Sequence, residues 1–303
     1  MKGRKVVYLF LLLALFSCRN GSNKSGEFVF PENDSVPLSE AEKLSPEAIA
    51  DISKNISSPV EIANLLQTLE VPFSQDYLAS SIDAKRQSTN FDKAIKLGIL
   101  GADLGYLNMY EKTGSSLDLL SSIRQLAEDL KVGQYFDFEL IKKLSQNRSN
   151  LDSLLFISID SYSQIDNYLR SNDRGQLSAL IIIGVWLEGQ YIATQVVNQY
   201  PDDVLSDRIG EQKIILNDLI LLISPYCNRD NEFTKLCSDL NDIKEKYRDV
   251  KITYTQGEPV SVEKDGRLEV IQTESSEVEM TQEQLEGIVQ ITKDIRNRLV
   301  LNN

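Results

Sequence analysis

The sequence predicts an all-α protein, an antiparallel multi-helix bundle or helical-hairpin array with one small β-hairpin near 260–271. Three observations predict it. Apolar residues recur at helical spacing through most of the chain after residue 45. Several of these segments open on a helix-start signal, a Ser or Thr followed by Pro or by Glu/Gln three residues on. Short polar groups separate the segments, and short connections make successive helices antiparallel neighbours.

The first element is a leader. Lys2, Arg4 and Lys5 precede an unbroken apolar run over 6–16, which at about eleven residues is too short for the ~20 that span a bilayer. It reads as a removable secretory signal. The run ends in Leu15-Phe16-Ser17-Cys18, which resembles the lipobox of bacterial lipoproteins. That resemblance implies cleavage after 17, a diacylglycerol on the Cys18 thiol and an acylated new amino terminus. Two or three acyl chains make an effectively permanent anchor. From 18 to 44 the chain is rich in Gly, Ser, Asn, Pro and Lys and reads as a flexible tether. No acidic run follows Cys18. In Bacteroidota-type lipoproteins such a run resembles a surface-export signal, so its absence favours the outer membrane's periplasmic side.

Residues 45–303 form the predicted helical domain. Ser45-Pro46-Glu47 and Ser58-Pro59-Val60-Glu61 supply helix starts, and Ile62, Leu65, Leu66 and Leu69 make the stripe that follows. Val71-Pro72 ends that helix, because Pro disfavours α geometry in the residue before it. Further helices are expected over 91–112, 116–130, 138–146, 151–169, 176–200, 202–223, 232–250 and 282–301. Thr113-Gly114-Ser115 and Asn172-Asp173-Arg174-Gly175 read as turns. In the last helix Thr281 and Gln284 form a capping box, Met280 can staple onto Leu285, and Leu285, Ile288, Val289, Ile295 and Leu299 form the apolar stripe opposite its charges. The exception is 260–271, which alternates around Asp265-Gly266, a two-residue hairpin signal. The acidic residues from Glu274 to Glu279 read as a solvated loop.

Composition excludes several kinds of chemistry. The chain has no histidine, which removes Ser-His-Asp and Cys-His catalysis, His-ligated zinc and any histidine switch. Its net charge is −13, against the clustered cations that nucleic acid demands. No cofactor is implied. Cys227 and Cys237 are an even pair after Cys18. In an oxidising envelope they form a candidate disulfide across the Asn228–Asn231 turn, with two free thiols as the alternative.

The segments 91–112 and 176–200 are the least polar. At an offset of 85 residues Asp103 matches Glu188 and Tyr106 matches Tyr191, which suggests a duplicated helical hairpin. Gly98, Gly101 and Gly105, with Gly184 or Gly189, fit close backbone approach, since glycine otherwise weakens a helix. Both segments read as core helices and not as membrane spans. Each acid lies on an apolar face, where an ionised carboxylate needs a partner. The expectation is structural: each acid accepts a Tyr hydroxyl, an Arg or a helix N-terminus. The alternative is a ligand pocket formed by Asp103, Tyr106, Trp186, Glu188 and Tyr191. A two-carboxylate glycosidase is also chemically permitted.

Three stretches carry a resemblance: Ser58-Pro59 to Leu66, Leu97-Gly98 to Tyr106, and Trp186-Leu187-Glu188-Gly189 to Ala193. Together they look like a group of Bacteroidota envelope lipoproteins without an assigned activity. The resemblance implies a helical fold and an envelope location but no catalytic residue. The resulting expectation is a lipid-anchored periplasmic binding or scaffolding protein with an envelope protein partner. The alternative is a carboxylate-dependent enzyme or small-ligand binder acting on envelope glycans.

Overall fold

The apolar periodicity resolves into helices in a computed structural model that describes residues 65–66, 68–80, 82–144, 151–256, 260–264, 267–271 and 274–301. The leader, Cys18, the tether, the helix starts at 45–47 and 58–61, Ile62 and the Asp265-Gly266 turn lie outside the described residues. The described residues contain eight α-helices: α1 (Asn90–Met109), α2 (Thr113–Asp129), α3 (Phe138–Leu144), α4 (Leu151–Ser171), α5 (Gly175–Gln199), α6 (Asp203–Ile223), α7 (Asn231–Lys246) and α8 (Gln282–Leu301). The protein is all-α with a small antiparallel β element, as the sequence predicts.

The helix ends show how short side chains set boundaries. Thr89 Oγ1 accepts the Asp92 N–H at 3.0 Å, and Asp202 Oδ1 accepts the Leu205 N–H at 2.9 Å. In the α8 box, Thr281 N–H donates to Gln284 Oε1 at 2.7 Å and Gln284 N–H to Thr281 Oγ1 at 3.2 Å. Glu111, Lys131 and Asp173 take positive φ values of 55°, 62° and 55°, the left-handed conformation that ends helices and that glycine usually supplies. This corrects one boundary. The turn after α1 is centred on Glu111, so Thr113, Gly114 and Ser115 belong to α2.

The core is organised on α1 and α5, whose mutual interface is the most extensive between any two described helices. Leu180, Ile183 and Leu187 of α5 are fully buried. By length and composition α5 could cross a membrane, yet 89% of its most apolar window is covered by the protein itself, as expected for a core helix. The two backbones touch at Gly98 and Gly184. A Cβ on Gly98 would sit 2.0 Å from the Ile181 carbonyl oxygen, and one on Gly184 would sit 2.2 Å from that of Ile95. Gly101, Gly105 and Gly189 have open space instead, so close approach explains two of the five glycines.

The β element corrects the reading of 274–279. β1 (Lys251–Gln256) pairs antiparallel with β4 (Glu274–Glu279), and β2 (Val260–Lys264) with β3 (Arg267–Ile271). The β2–β3 register puts Lys264 opposite Arg267, the two-residue spacing that Asp265-Gly266 predicts. A lone hairpin is marginal in water, and β4 gains support from α6. A Cβ on Gly210 would meet Val278 Cγ1 at 2.5 Å, so the absent side chain makes room for Val278. Lys213 of α6 donates to the carbonyl oxygens of Arg248 and Val250 at 2.9 and 2.7 Å, fixing the entry to β1.

Cys227 and Cys237 are joined, with Cα atoms 5.8 Å apart. The bridge fastens the turn after α6 to the second turn of α7. Closing a loop this short stabilises by roughly 3 kcal/mol in the chain-entropy account.

Candidate functional site

Asp103 of α1 and Glu188 of α5 come together beyond the glycine contact, five and four residues further along their helices. Contacts that advance in step mean that α1 and α5 run in the same sense. Both acids are buried, at 2% and 0% exposure, and Arg296 of α8 joins them at 5%. Arg296 grips Glu188 with both prongs, Nε to Oε2 at 2.8 Å and Nη2 to Oε1 at 2.5 Å. Its Nη2 also donates to the Tyr77 carbonyl oxygen at 3.2 Å, and its guanidinium lies 4.2 Å from the centre of the Tyr191 ring. Such bidentate, charge-assisted pairs are the strong ones.

Asp103 has a different environment. Its Oδ2 accepts the Ala79 N–H at 2.8 Å, while ionised it would leave Oδ1 without a donor. Burial first, then the charge of Glu188, holds the Asp103 carboxyl well above the usual carboxylate range, with the Ala79 N–H and Arg296 pulling the other way. Two carboxylates with one guanidinium would bury a net negative charge, which is costly. Retaining one proton removes it. Asp103 is the acid whose carboxyl is held high, so it is the one that retains the proton.

The tyrosines serve neither acid with their hydroxyls. Tyr106 Oη accepts the Ser74 N–H at 3.0 Å, and its ring stacks on Phe73 with centroids 5.5 Å apart. Burial raises the pKa values of Tyr106 and Tyr191. Trp186 lies apart from the cluster: its Nε1–H donates to Gln212 Oε1 of α6 at 2.9 Å. Four of the five expected residues therefore gather, and Trp186 faces elsewhere.

Arg296 and the 71–79 segment were not expected there. Arg296 had a signal in the sequence. It follows Thr292 by four residues and precedes Leu299 by three, which puts a cation on the stripe of α8 instead of the charged face opposite. Ala79 contributes only a backbone N–H, which no residue type announces.

Two surface clefts lie away from the acids. One, of about 410 Å³, is formed where α1, α5 and α7 begin. The other is an open groove of about 720 Å³ between α2, α3 and α4, with Tyr135, Phe136, Phe138 and Leu140 along it. Within that groove Arg124 lies over the Phe138 ring at 4.7 Å and pairs with Glu139 at 3.3 Å. No group of His, Cys, Asp and Glu suited to a metal ion occurs among the described residues.

No family model matches this chain, and no curated protein or solved structure is detectably similar to it.

Proposed function

We propose that this chain is a lipid-anchored helical binding or scaffolding protein of a bacterial envelope, held by acyl chains on Cys18 and facing the periplasm. The leader and its Leu15–Cys18 ending support the anchor. The Cys227–Cys237 bridge suits an oxidising compartment.

One observation carries the choice of binding over carboxylate catalysis. The acids at the centre of the fold are held by Arg296 and by the Ala79 N–H at almost no exposure. A glycosidase needs its two carboxyl groups on either side of an accessible bond, one of them free to move a proton to substrate. Asp103 and Glu188 offer no such opening, whereas the aromatic groove and the cleft supply surfaces that can take a partner or ligand.

The test is fractionation of envelopes expressing the full chain and Cys18→Ala. The wild type should fractionate with membranes and yield a diacylated amino-terminal peptide by mass spectrometry. Cys18→Ala should remain an uncleaved or soluble precursor. A Cys18→Ala protein still membrane-bound at the mature size would overturn the reading.

A further inference from the structure

Three helices begin around the 410 Å³ cleft, and they do not begin alike. At the start of α1, Thr89 Oγ1 accepts one first-turn N–H, that of Asp92. At the start of α7, Asp230 Oδ1 accepts the N–H groups of Glu232 and Phe233 at 3.0 and 3.1 Å. At the start of α5 no side chain caps the helix, and the N–H groups of Gly175 and Gln176 have no acceptor among the described residues. A helix start with open N–H groups attracts negative charge.

A second, independent feature marks the same place. Gln176 lines the cleft at 8% exposure, and its side-chain amide makes no hydrogen bond to any described residue. Its amide therefore presents an unused donor and acceptor to whatever occupies the cleft. Arg174, beside it, gives one guanidinium nitrogen to the Leu130 carbonyl oxygen at 3.0 Å and lines the same cleft.

Both sides carry mixed charge: Asp173 stands beside Arg174 at the start of α5, and Arg229 beside Asp230 and Glu232 at the start of α7. Arg229 lies over the Phe233 ring at 5.9 Å, and Glu232 has no ion pair among the described residues. Burial, then the nearby charges of Asp92 and Asp230, raises the Glu232 pKa, a sign of negative charge that a cation would relieve. The floor is apolar: Phe91 and Phe233 meet edge to face with ring centres 5.2 Å apart, and Leu177 lies beside them.

We infer that this cleft binds a small zwitterion with an apolar side chain, as an apolar α-amino acid is. Its carboxylate sits on the open start of α5 with Gln176 and Arg174, its ammonium faces Glu232, and its side chain rests on Phe91 and Phe233. A phosphate ester would bring a second negative charge toward Asp230 and Glu232 and leave Glu232 without a cation. The inference rests on the binding role proposed above and names a ligand class for it, but its test is independent of the Cys18 experiment.

The test is calorimetric titration of the full chain, purified in detergent, with L-leucine, with 4-methylpentanoate (the ammonium removed), with 3-methylbutylamine (the carboxylate removed) and with inorganic phosphate. L-leucine should bind saturably at one site, and each half-ligand should bind at least about tenfold more weakly. Gln176→Leu keeps the volume and removes the amide, and Glu232→Gln keeps the shape and removes the charge. Each should weaken L-leucine about tenfold or more while melting like wild type. Absence of saturable L-leucine binding would overturn the inference. So would 4-methylpentanoate or phosphate binding as tightly as L-leucine, which describes an anion site only, or wild-type affinity in both variants. An unchanged membrane association of Cys18→Ala would leave these outcomes as they stand.

Discussion

The two places where α1 meets α5 solve opposite problems. At Gly98 and Gly184 the backbones lie so close that a single added carbon would overlap the facing carbonyl. One turn further on, the helices enclose two carboxyl groups and a guanidinium. The first contact tolerates no extra volume and the second no unbalanced charge. A single interface therefore holds two kinds of specificity, and mutations at each should fail for different reasons.

The largest effect should come from unbalancing the charge. Arg296→Met keeps the length of the side chain and strands Glu188, and losing one partner of a buried pair costs about 3–5 kcal/mol. Urea unfolding measures this. The double variant Glu188→Gln/Arg296→Met should be more stable than Arg296→Met alone, because no buried charge is left unpaired. A cost below about 1 kcal/mol would mean that water reaches the pair.

Next in size is the glycine contact. Gly98→Ala must push the helices apart, with an expected cost of about 1–3 kcal/mol, and it should be insensitive to pH. Wild-type melting would disprove the close approach.

Asp103→Asn should cost less than about 1 kcal/mol near neutral pH, because it replaces one neutral hydrogen-bonding group by another. Its signature is in the pH profile. Since the folded pKa of Asp103 lies above its unfolded value, its contribution is fully present below about pH 4 and is lost as pH rises through the folded value. Denaturant midpoints from acid to alkaline pH should therefore fall more steeply for wild type than for Asp103→Asn. Parallel curves would place the proton elsewhere. The smallest expected effect has the opposite sign. Gly101 is exposed on α1 with nothing near its missing Cβ, so Gly101→Ala should stabilise by about 0.5–1 kcal/mol in the same melts.

Helix number and type were readable in the sequence because apolar spacing and capping residues are local signals. Thr281 and Gln284 do what their spacing implies. The turn after α1 was misplaced because Glu111, not a glycine, takes the left-handed conformation. β4 was missed because Glu274–Glu279 is rich in charge and finds its partner at Lys251–Gln256, more than fifteen residues away along the chain. At the acid cluster, Asp103 and Glu188 were visible as charges on apolar faces. Which residues answer them was not, since Ala79 acts through its backbone and Arg296 comes from another helix. Trp186 does not join them, because a step of two residues from Glu188 turns a helix side chain to a different face.

Glu188 finds its counter-charge 108 residues further along the chain, and Arg296 reaches back 219 residues to Tyr77. Until the last helix has emerged, the centre of the fold holds a carboxylate with no cation beside it. A chain that stops short of Arg296 buries Glu188 without that counter-charge, so losing the end of α8 removes the same partner as Arg296→Met and the bond to Tyr77 with it.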